Sequence, residues 1–378
     1  MERVILVRYS EIFLKSPPVF RRFENLLVSN IKRVLRGKDF RLEKGRGRIF
    51  IYTSKPQSLI KKLKYVFGIY SFSPAFCLKT TSPLEIKKFV RKTYEEKIGE
   101  NQSFALRVRT DGKISSQKLA AEVGEGIKRK VDLTSPDKEI FIELREGKTY
   151  VFDEVIKGLG GMPVGCSGNV LSLISGGIDS PVASWMMMKR GCRVDFVHFH
   201  SFPLVSKKSY FKTKTLCQIL SKYQGKTKIY FVPFAPAQTW LKTNILNKYL
   251  VIFYRRLMFK IAQEVAKSQN IKVLVTGESL AQVASQTLDN LAVIDQAVEM
   301  PVLRPLIGFD KEEIISLAKK IGTYETSVER QEDCCSLFVP RHPATKAKLE
   351  KILEEEEKIP LKKMIKEALS QAEIVVIK

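Results

Sequence analysis

Histidine is scarce in this chain, with three among 378 residues, and tryptophan scarcer still, with two. The six cysteines (Cys77, Cys166, Cys192, Cys217, Cys334 and Cys335) contain no C-x-x-C pair. So few clustered sulfur and imidazole ligands argue against a structural zinc site. Nor do they read as a disulfide framework in a chain of this length, so an unusual cysteine here points to catalysis or redox chemistry in a reducing compartment. No run of about 18 apolar residues occurs, and no membrane span is expected. The opening MERVILVRYSEIFLKS places charges on both sides of a short apolar stretch and lacks a small-residue cleavage site. It does not read as a signal peptide, and a cytoplasmic protein is expected. Acidic residues are sparse in the first 80 positions, 5 against 18 Lys and Arg, a surplus of +13. The other 298 residues carry 35 against 47, a surplus of +12. Positive charge at that density favours a polyanion through counterion release, the plain alternative being a solubilising surface.

What is present divides into three segments, taken as domains over 1–75, 76–165 and 166–378. The first reads strand (VILVRYS), helix (19–36), strand near Leu42, strand (RIFIYT), helix (Leu59 to Phe67), strand (GIYSFSPAF). That β-α-β-β-α-β order is ferredoxin-like, with Gly45 and Gly47 turning the middle strands into a hairpin. The second opens on Ser82-Pro83-Leu84-Glu85, an N-cap serine, a proline at the first helical position and a glutamate to close a capping box. Its strand FALRVR puts Arg107 and Arg109 on one face and apolar residues on the other. A helix is expected from Ser116 to a cationic end at Lys128, Arg129 and Lys130, then β-rich sequence. The stretch Gly158 to Asn169 holds five glycines among twelve residues and reads as a flexible connector. Beyond it, unalternating apolar runs separated by helices (VLSLIS, VDFVHFHSF, KIYFVPF, VLVTGES) indicate a doubly wound parallel sheet covered on both faces. Glu354–Glu357 reads as a solvated helix face.

The chemistry begins at Leu171-Ser172-Leu173-Ile174-Ser175-Gly176-Gly177-Ile178-Asp179-Ser180-Pro181. A buried strand runs into a Ser-Gly-Gly turn, with a helix expected from Pro181. Glycines let backbone approach an anion closely, and the helix start offers free N–H groups at the positive end of its dipole. Ser175 and Ser180 add hydroxyl donors. The cradle lacks the lysine of a Walker A loop, which disfavours a kinase or GTPase. The form S-G-G-x-D-S resembles the PP-loop family, which cleaves ATP between its α- and β-phosphates.

The neighbouring residues narrow this. SGGIDSPVASWMMMKRG, His198-Phe199-His200-Ser201-Phe202-Pro203, Tyr254-Arg255-Arg256, Thr276-Gly277-Glu278-Ser279, Gln282 to Thr287, Arg304-Pro305-Leu306-Ile307 and Glu332-Asp333-Cys334-Cys335 together resemble the bacterial tRNA 4-thiouridine synthetase family, tRNA sulfurtransferases of the ThiI type. The resemblance implies a ferredoxin-like domain, a THUMP RNA-binding domain and a PP-loop domain, in the order already read. It implies that Leu173, Ile174, Ser175, Gly176, Gly177, Ser180, His198, Phe199, Arg255, Gly277 and Gln286 hold ATP, with Asp179 serving Mg²⁺ or substrate orientation. Lys311 matches a lysine the family needs for activity, although Asp310 and Glu313 beside it also form a capping box. Cys334 matches the sulfur-accepting cysteine, with Cys335 the adjacent alternative, and the other four cysteines are left structural. Arg107, Arg109, Lys128, Arg129 and Lys130 are expected to face RNA, although a cationic last turn at Lys128, Arg129 and Lys130 also suits the helix dipole.

The implied reaction adenylates the uridine at position eight of tRNA and replaces O4 with sulfur from a cysteine persulfide, giving 4-thiouridine, AMP and pyrophosphate. The implied partners are the acceptor stem and 3′ end of tRNA and a cysteine desulfurase or other persulfide donor; a homodimer is left open. A short form lacking the family's rhodanese domain is expected. Against this stand a 2-thiouridine PP-loop enzyme, which the two N-terminal segments disfavour, and a small-molecule amidotransferase or ligase, which leaves the basic first 80 residues unexplained. A non-catalytic RNA-binding protein with a relic loop would not need the intact SGGIDS.

Overall fold

The computed structural model describes residues 1–9, 11–112, 114–330, 338, 340 and 342–377. They fall into two compact units, Met1–Gly161 and Met162–Lys378.

The first unit starts with β1 (Glu2–Arg8), α1 (Pro17–Val34), β2 (Arg41–Gly45), β3 (Arg48–Tyr52), α2 (Pro56–Leu63) and β4 (Ser71–Leu78), the ferredoxin-like order. Helix α2 begins earlier than Leu59 because Pro56 sits at its first turn, where a missing N–H costs nothing. The β2–β3 hairpin turns at Arg46-Gly47, with Gly47 at φ +74°. There follow α3 (Pro83–Tyr94), β5 (Ser103–Arg109), α4 (Ser116–Gly124), β6 (Lys130–Val131), β7 (Lys138–Arg145), β8 (Lys148–Phe152) and β9 (Ile156–Lys157). Strand β4 runs across residues 75 and 76 and pairs with β1 on one side and β8 on the other. One sheet therefore runs β2-β3-β1-β4-β8-β7-β5-β6, with β9 also on β4.

Three local expectations are corrected here. The Ser82 capping box does not form: no side-chain cap bond is made, and the Ser82 N–H donates instead to Thr80 Oγ1 at 3.1 Å. Thr80 thereby takes the donor that Glu85 would have served. The helix from Ser116 ends at Gly124 instead of running to Lys130, because Gly124 and Gly126 disfavour helix and the chain leaves through short turns at Gly126 and Ile127. Lys128, Arg129 and Lys130 thus form no helical end; Lys130 starts β6, parallel to β5.

The second unit carries β10 (Asn169–Leu173), α5 (Asp179–Lys189), β11 (Arg193–His200), α6 (Lys208–Gln224), β12 (Thr227–Pro233), α7 (Ala235–Asn244), α8 (Leu250–Ser268), β13 (Leu274–Val275), α9 (Leu288–Asp295), β14 (Val302–Leu303), α10 (Lys311–Ile321), α11 (Tyr324–Val328), α12 (Leu349–Glu356), α13 (Leu361–Ser370) and β15 (Glu373–Ile377). The sheet runs β14-β13-β10-β11-β12-β15, parallel except for β15, which lies antiparallel on β12. Helix α8 packs its apolar residues against β10, β11 and β12 in the largest core. Helix α5 starts at Asp179, two residues before the expected Pro181; proline is tolerated there because first-turn N–H groups have no helical partner. Nor is the glutamate run wholly solvated. Glu356 is 8% exposed and takes a two-pronged bond from Arg256 (Nε–Oε1 2.9 Å, Nη2–Oε2 2.5 Å), which α8 buries completely. A buried guanidinium requires such a partner.

The glycine-rich stretch is tied along its length. Gly158 and Gly160 donate to Tyr70 O and Ile69 O within the first unit, while Gly165 and Ser167 donate to Gly191 O within the second.

Candidate nucleotide site

Strand β10 delivers Leu173 and Ile174 to its C-terminal end, and residues 175–178 turn the chain into α5. The two serines expected as anion donors brace the turn itself. Ser175 N donates to Ser180 Oγ (2.9 Å), and Gly177 N to Ser175 Oγ (3.2 Å). Below them Ser184 Oγ donates to Ser180 O (2.7 Å) and lies 2.9 Å from Ser172 Oγ, pinning helix to strand. These bonds hold the loop in shape from within.

Gly277, at the end of the neighbouring β13, explains its own identity. A Cβ there would lie 2.6 Å from Ser180 N and 2.7 Å from Ser180 Cα, so any side chain would push into the start of α5. It is a close-approach glycine and no ordinary turn residue.

A cavity of about 220 Å³ opens beside the loop. Every residue expected at the nucleotide lines it except Gly176, together with Asp179, Met258, Phe259, Thr276 and Glu278. His198 is buried and fully bonded: Nδ1 lies 2.9 Å from Ile174 O and Nε2 3.1 Å from Ser209 Oγ. A carbonyl only accepts, so Nδ1 carries the proton and Nε2 accepts from the Ser209 hydroxyl. Burial lowers the imidazole pKa to about 4, keeping it neutral near pH 7. His198 therefore fastens the end of β10 to α6.

Two buried polar atoms in the cavity wall have no hydrogen-bond partner among the described residues: Arg255 Nε and Gln286 Oε1. Arg255 Nη1 donates to Glu278, which is 2% exposed and also accepts from Arg304 Nε (2.7 Å) and Thr276 Oγ1 (2.8 Å). Orphaned buried groups are rare and call for a ligand or water. At the mouth, Asp179 accepts from Lys311 Nζ (2.7 Å) and Gln282 Nε2 (3.0 Å). Lys311 is the first residue of α10, whose Asp310–Glu313 capping box is formed in full. So the capping box and the ion pair coexist, one in the backbone of the helix start and the other in the side chain.

A family model described as thiamine biosynthesis protein (ThiI) matches residues 165–361, a ThiI ferredoxin-like domain matches 4–73, and a THUMP domain matches 81–154. A probable tRNA sulfurtransferase from Caldanaerobacter subterraneus subsp. tengcongensis is 41% identical, covering 97% of each chain. One from Moorella thermoacetica is 40% identical over 99% of this chain and 97% of its own. The chain belongs to the ThiI family of tRNA sulfurtransferases. A solved 4-thiouridine synthetase in complex with RNA and bound ATP superposes at a TM-score of 0.92, 35% identical, over 100% of both chains. PH1313 from Pyrococcus horikoshii Ot3 follows at 0.66 and 26%, over 85% of this chain and 99% of its own. The architecture is thus a ferredoxin-like domain, a THUMP domain and a PP-loop domain.

Within this ThiI-family chain, Cys334 and Cys335 lie outside the described residues. Burial pushes the Cys77, Cys192 and Cys217 thiols up, which suits structural cysteines. In the THUMP region, Arg107 and Arg109 line a cleft of about 960 Å³ between α4 and strands β5, β6 and β7. Arg107 is paired with Glu139 at 2.7 Å, while Arg109 is exposed. Arg129 donates to Ile98 O and Lys128 O, and Lys128 and Lys130 are exposed. The strand brings the first two together; the other three sit on the turn into β6. Sequence reasoning missed Gln282 as a partner of Asp179 and Glu278 as the holder of Arg255. Both were visible as family-like residues, but their contacts cross 103 and 23 positions.

Among the described residues no group of three or more His, Cys, Asp or Glu could hold a metal ion, and no helix is long and apolar enough to cross a membrane.

Proposed function

We propose that this chain is an ATP-dependent tRNA uridine 4-sulfurtransferase acting on the uridine at position eight. The observation that carries the reading is the coincidence, in one cavity, of a pre-braced Ser-Gly-Gly loop and two buried polar atoms without partners among the described residues, Arg255 Nε and Gln286 Oε1. Bound ATP in the solved 4-thiouridine synthetase agrees with it. The adenine and ribose would meet Ile174, Phe199, Arg255 and Gln286, and the phosphates the loop amides and α5. Asp179 would hold Mg²⁺ together with phosphate oxygens, the sparse protein contribution usual for that ion. Mg²⁺ would supply charge to the departing pyrophosphate, and Lys311, beside Asp179, places a cation at the same point.

Uridine C4 resists sulfur because oxide leaves poorly. Attack of O4 on the α-phosphorus expels pyrophosphate and makes the oxygen part of AMP, a good leaving group. The terminal sulfur of a persulfide on Cys334, or on Cys335, then attacks C4 and AMP departs. A second thiol must cut the remaining S–S bond, leaving the thiocarbonyl on the base and a disulfide at the carrier, which an external dithiol reduces. The first unit would hold the acceptor stem and 3′ end by shape and phosphate contacts, since A-form grooves hide base edges. Sulfur would come from a cysteine desulfurase or another persulfide donor.

The test is nucleoside mass spectrometry on tRNA incubated with the protein, ATP, Mg²⁺ and a persulfide donor. 4-Thiouridine at position eight is expected, with Cys334→Ser abolishing it while tRNA-dependent AMP transfer persists. Appearance of 2-thiouridine, or ATP cleavage indifferent to tRNA, would sink the assignment.

A further inference from the structure

The PP-loop unit carries a second charged feature. From Phe196 to Gln263, 68 residues, there is no Asp or Glu, against 12 Lys and Arg. A stretch of that length without an acid is a polyanion-facing signature as marked as the first 80 residues, and it lies in the catalytic unit.

The structure gathers part of it into a groove of about 390 Å³ immediately beyond the nucleotide cavity. Strand β11 joins the two: His198 and Phe199 line the cavity, and the next residue, His200, lines the groove. Helix α6 does the same with its first turns. Ser209 and Thr213 face His198, while Tyr210, Phe211 and Lys214 face the groove. The groove's aromatic surfaces are open to solvent, with Phe202 44% and Phe211 60% exposed. Lys207 lies over the Phe202 ring, 4.8 Å from its centroid. Tyr210 packs on Phe231 at 3.9 Å between centroids and donates its hydroxyl to Glu373 at 3.0 Å, which occupies the one carboxylate lining the groove.

Exposed flat rings interleaved with lysines are what unpaired nucleotides bind: bases stack on the rings and phosphates pair with the cations. We propose that this groove receives the unstacked nucleotides that flank the target uridine, holding them while the uridine itself enters the adjoining cavity. The inference rests on tRNA being the substrate. It adds a second RNA contact, on the catalytic unit, whose task is presentation of the base and not capture of the tRNA. Drawing a base out of a folded RNA costs stacking and pairing, and a surface that restacks its neighbours offsets that cost.

The test compares the full-length chain with a Phe202→Ala/Phe211→Ala variant and with Lys207→Gln/Lys214→Gln. ATP affinity, measured by equilibrium binding, serves as the check that the unit is folded. Single-turnover thiolation is followed at saturating tRNA with inorganic sulfide as the sulfur source. The ring variant is expected to lose at least about tenfold in rate, with tRNA retention on a filter changing less than about threefold. The lysine variant is expected to show a shallower salt dependence of the rate. Phe211→Trp should retain the wild-type rate. Unchanged thiolation in the ring variant overturns the proposal. So does a loss seen only when a protein persulfide donor replaces inorganic sulfide, which would assign the groove to that protein. A wild-type chain that makes no thiouridine overturns the parent reading, and this one with it.

Discussion

Each unit holds a buried carboxylate shared by several arginines, and the two arrangements differ in balance. In the first unit Glu143, 3% exposed, accepts from Arg8 (3.2 Å) and Arg145 (3.0 Å) and lies 3.4 Å from Arg48. Three guanidinium groups face one carboxylate, and burial together with their mutual repulsion holds Arg8 and Arg48 below their usual pKa. In the second, Glu278 serves Arg255 and Arg304, and Arg304 also grips Asp295 at 2.5 Å, so two cations meet two anions. A surplus of positive charge creates affinity for an anion arriving from solution. A closed balance creates a fixed position for Arg255. The first is a binding device and the second a positioning device, and they should fail differently.

The largest expected effect is at the balanced cluster. Glu278→Gln leaves Arg255 and Arg304 without their shared buried anion, and breaking such a pair costs roughly 3–5 kcal/mol. Urea unfolding should show that loss, with ATP affinity falling at least tenfold; a loss below about 1 kcal/mol would mean the cluster is more solvated than its burial indicates. Next comes His198. The unfolded imidazole takes up a proton near pH 6.5 and the folded one only at about pH 4. Between those values the unfolded state binds more protons, so stability falls as the pH drops through that window, by up to roughly 3 kcal/mol. Denaturant titrations at pH 7 and pH 4.5 would measure it, and His198→Asn should flatten the difference. Gly277→Ala forces a methyl group against Ser180 N, and about 1–3 kcal/mol of stability should be lost. Nucleotide binding should suffer more than stability, because the displaced atoms are those of the loop; equal losses would remove the close-approach explanation.

The smallest effect on binding, and the one that sharpens the contrast most, is expected at Glu143. Its carboxyl is raised by burial but pulled further down by Arg48, Arg8 and Arg145, so it stays ionised and stabilising until the pH falls below the ordinary carboxylate range. Glu143→Gln leaves three arginines, two of them no more exposed than those around Glu278, without their shared anion, so a comparable loss of roughly 3–5 kcal/mol should appear in urea unfolding. It also removes a negative charge from a cationic face. RNA affinity should therefore rise a few-fold at low salt and converge with wild type at high salt. Weaker binding at every salt concentration would show that Glu143 orders the arginines instead of merely moderating them.

The elements legible in the sequence were those written in short-range chemistry: the β-α-β-β-α-β order, the SGGIDS turn, and the Asp310–Glu313 box. The misreadings were of two kinds. Ser82 and the Ser116 helix failed because a nearby competitor, Thr80 in one case and Gly124 with Gly126 in the other, outweighed a propensity read in isolation. The burial of Glu356 against Arg256 was misread because it joins residues far apart, which periodicity does not register; the pairing of β4 with β8 is a contact of the same kind. In the site, residue types were readable and partners were not. Glu278 and Gln282 stood inside the recognisable segments, yet nothing local says which arginine or carboxylate each will meet.

Asp179 is held by Gln282, 103 positions on, and by Lys311, 132 positions on. Contacts of that separation close large loops, and in folding they form late. During synthesis, the phosphate turn leaves the ribosome well over a hundred residues before the lysine that completes it. Until Lys311 has emerged and α10 has docked, the growing chain carries the loop without its latch. The nucleotide pocket, whose lining reaches from Leu173 to Gln286, thus comes together only after most of the PP-loop unit has been made.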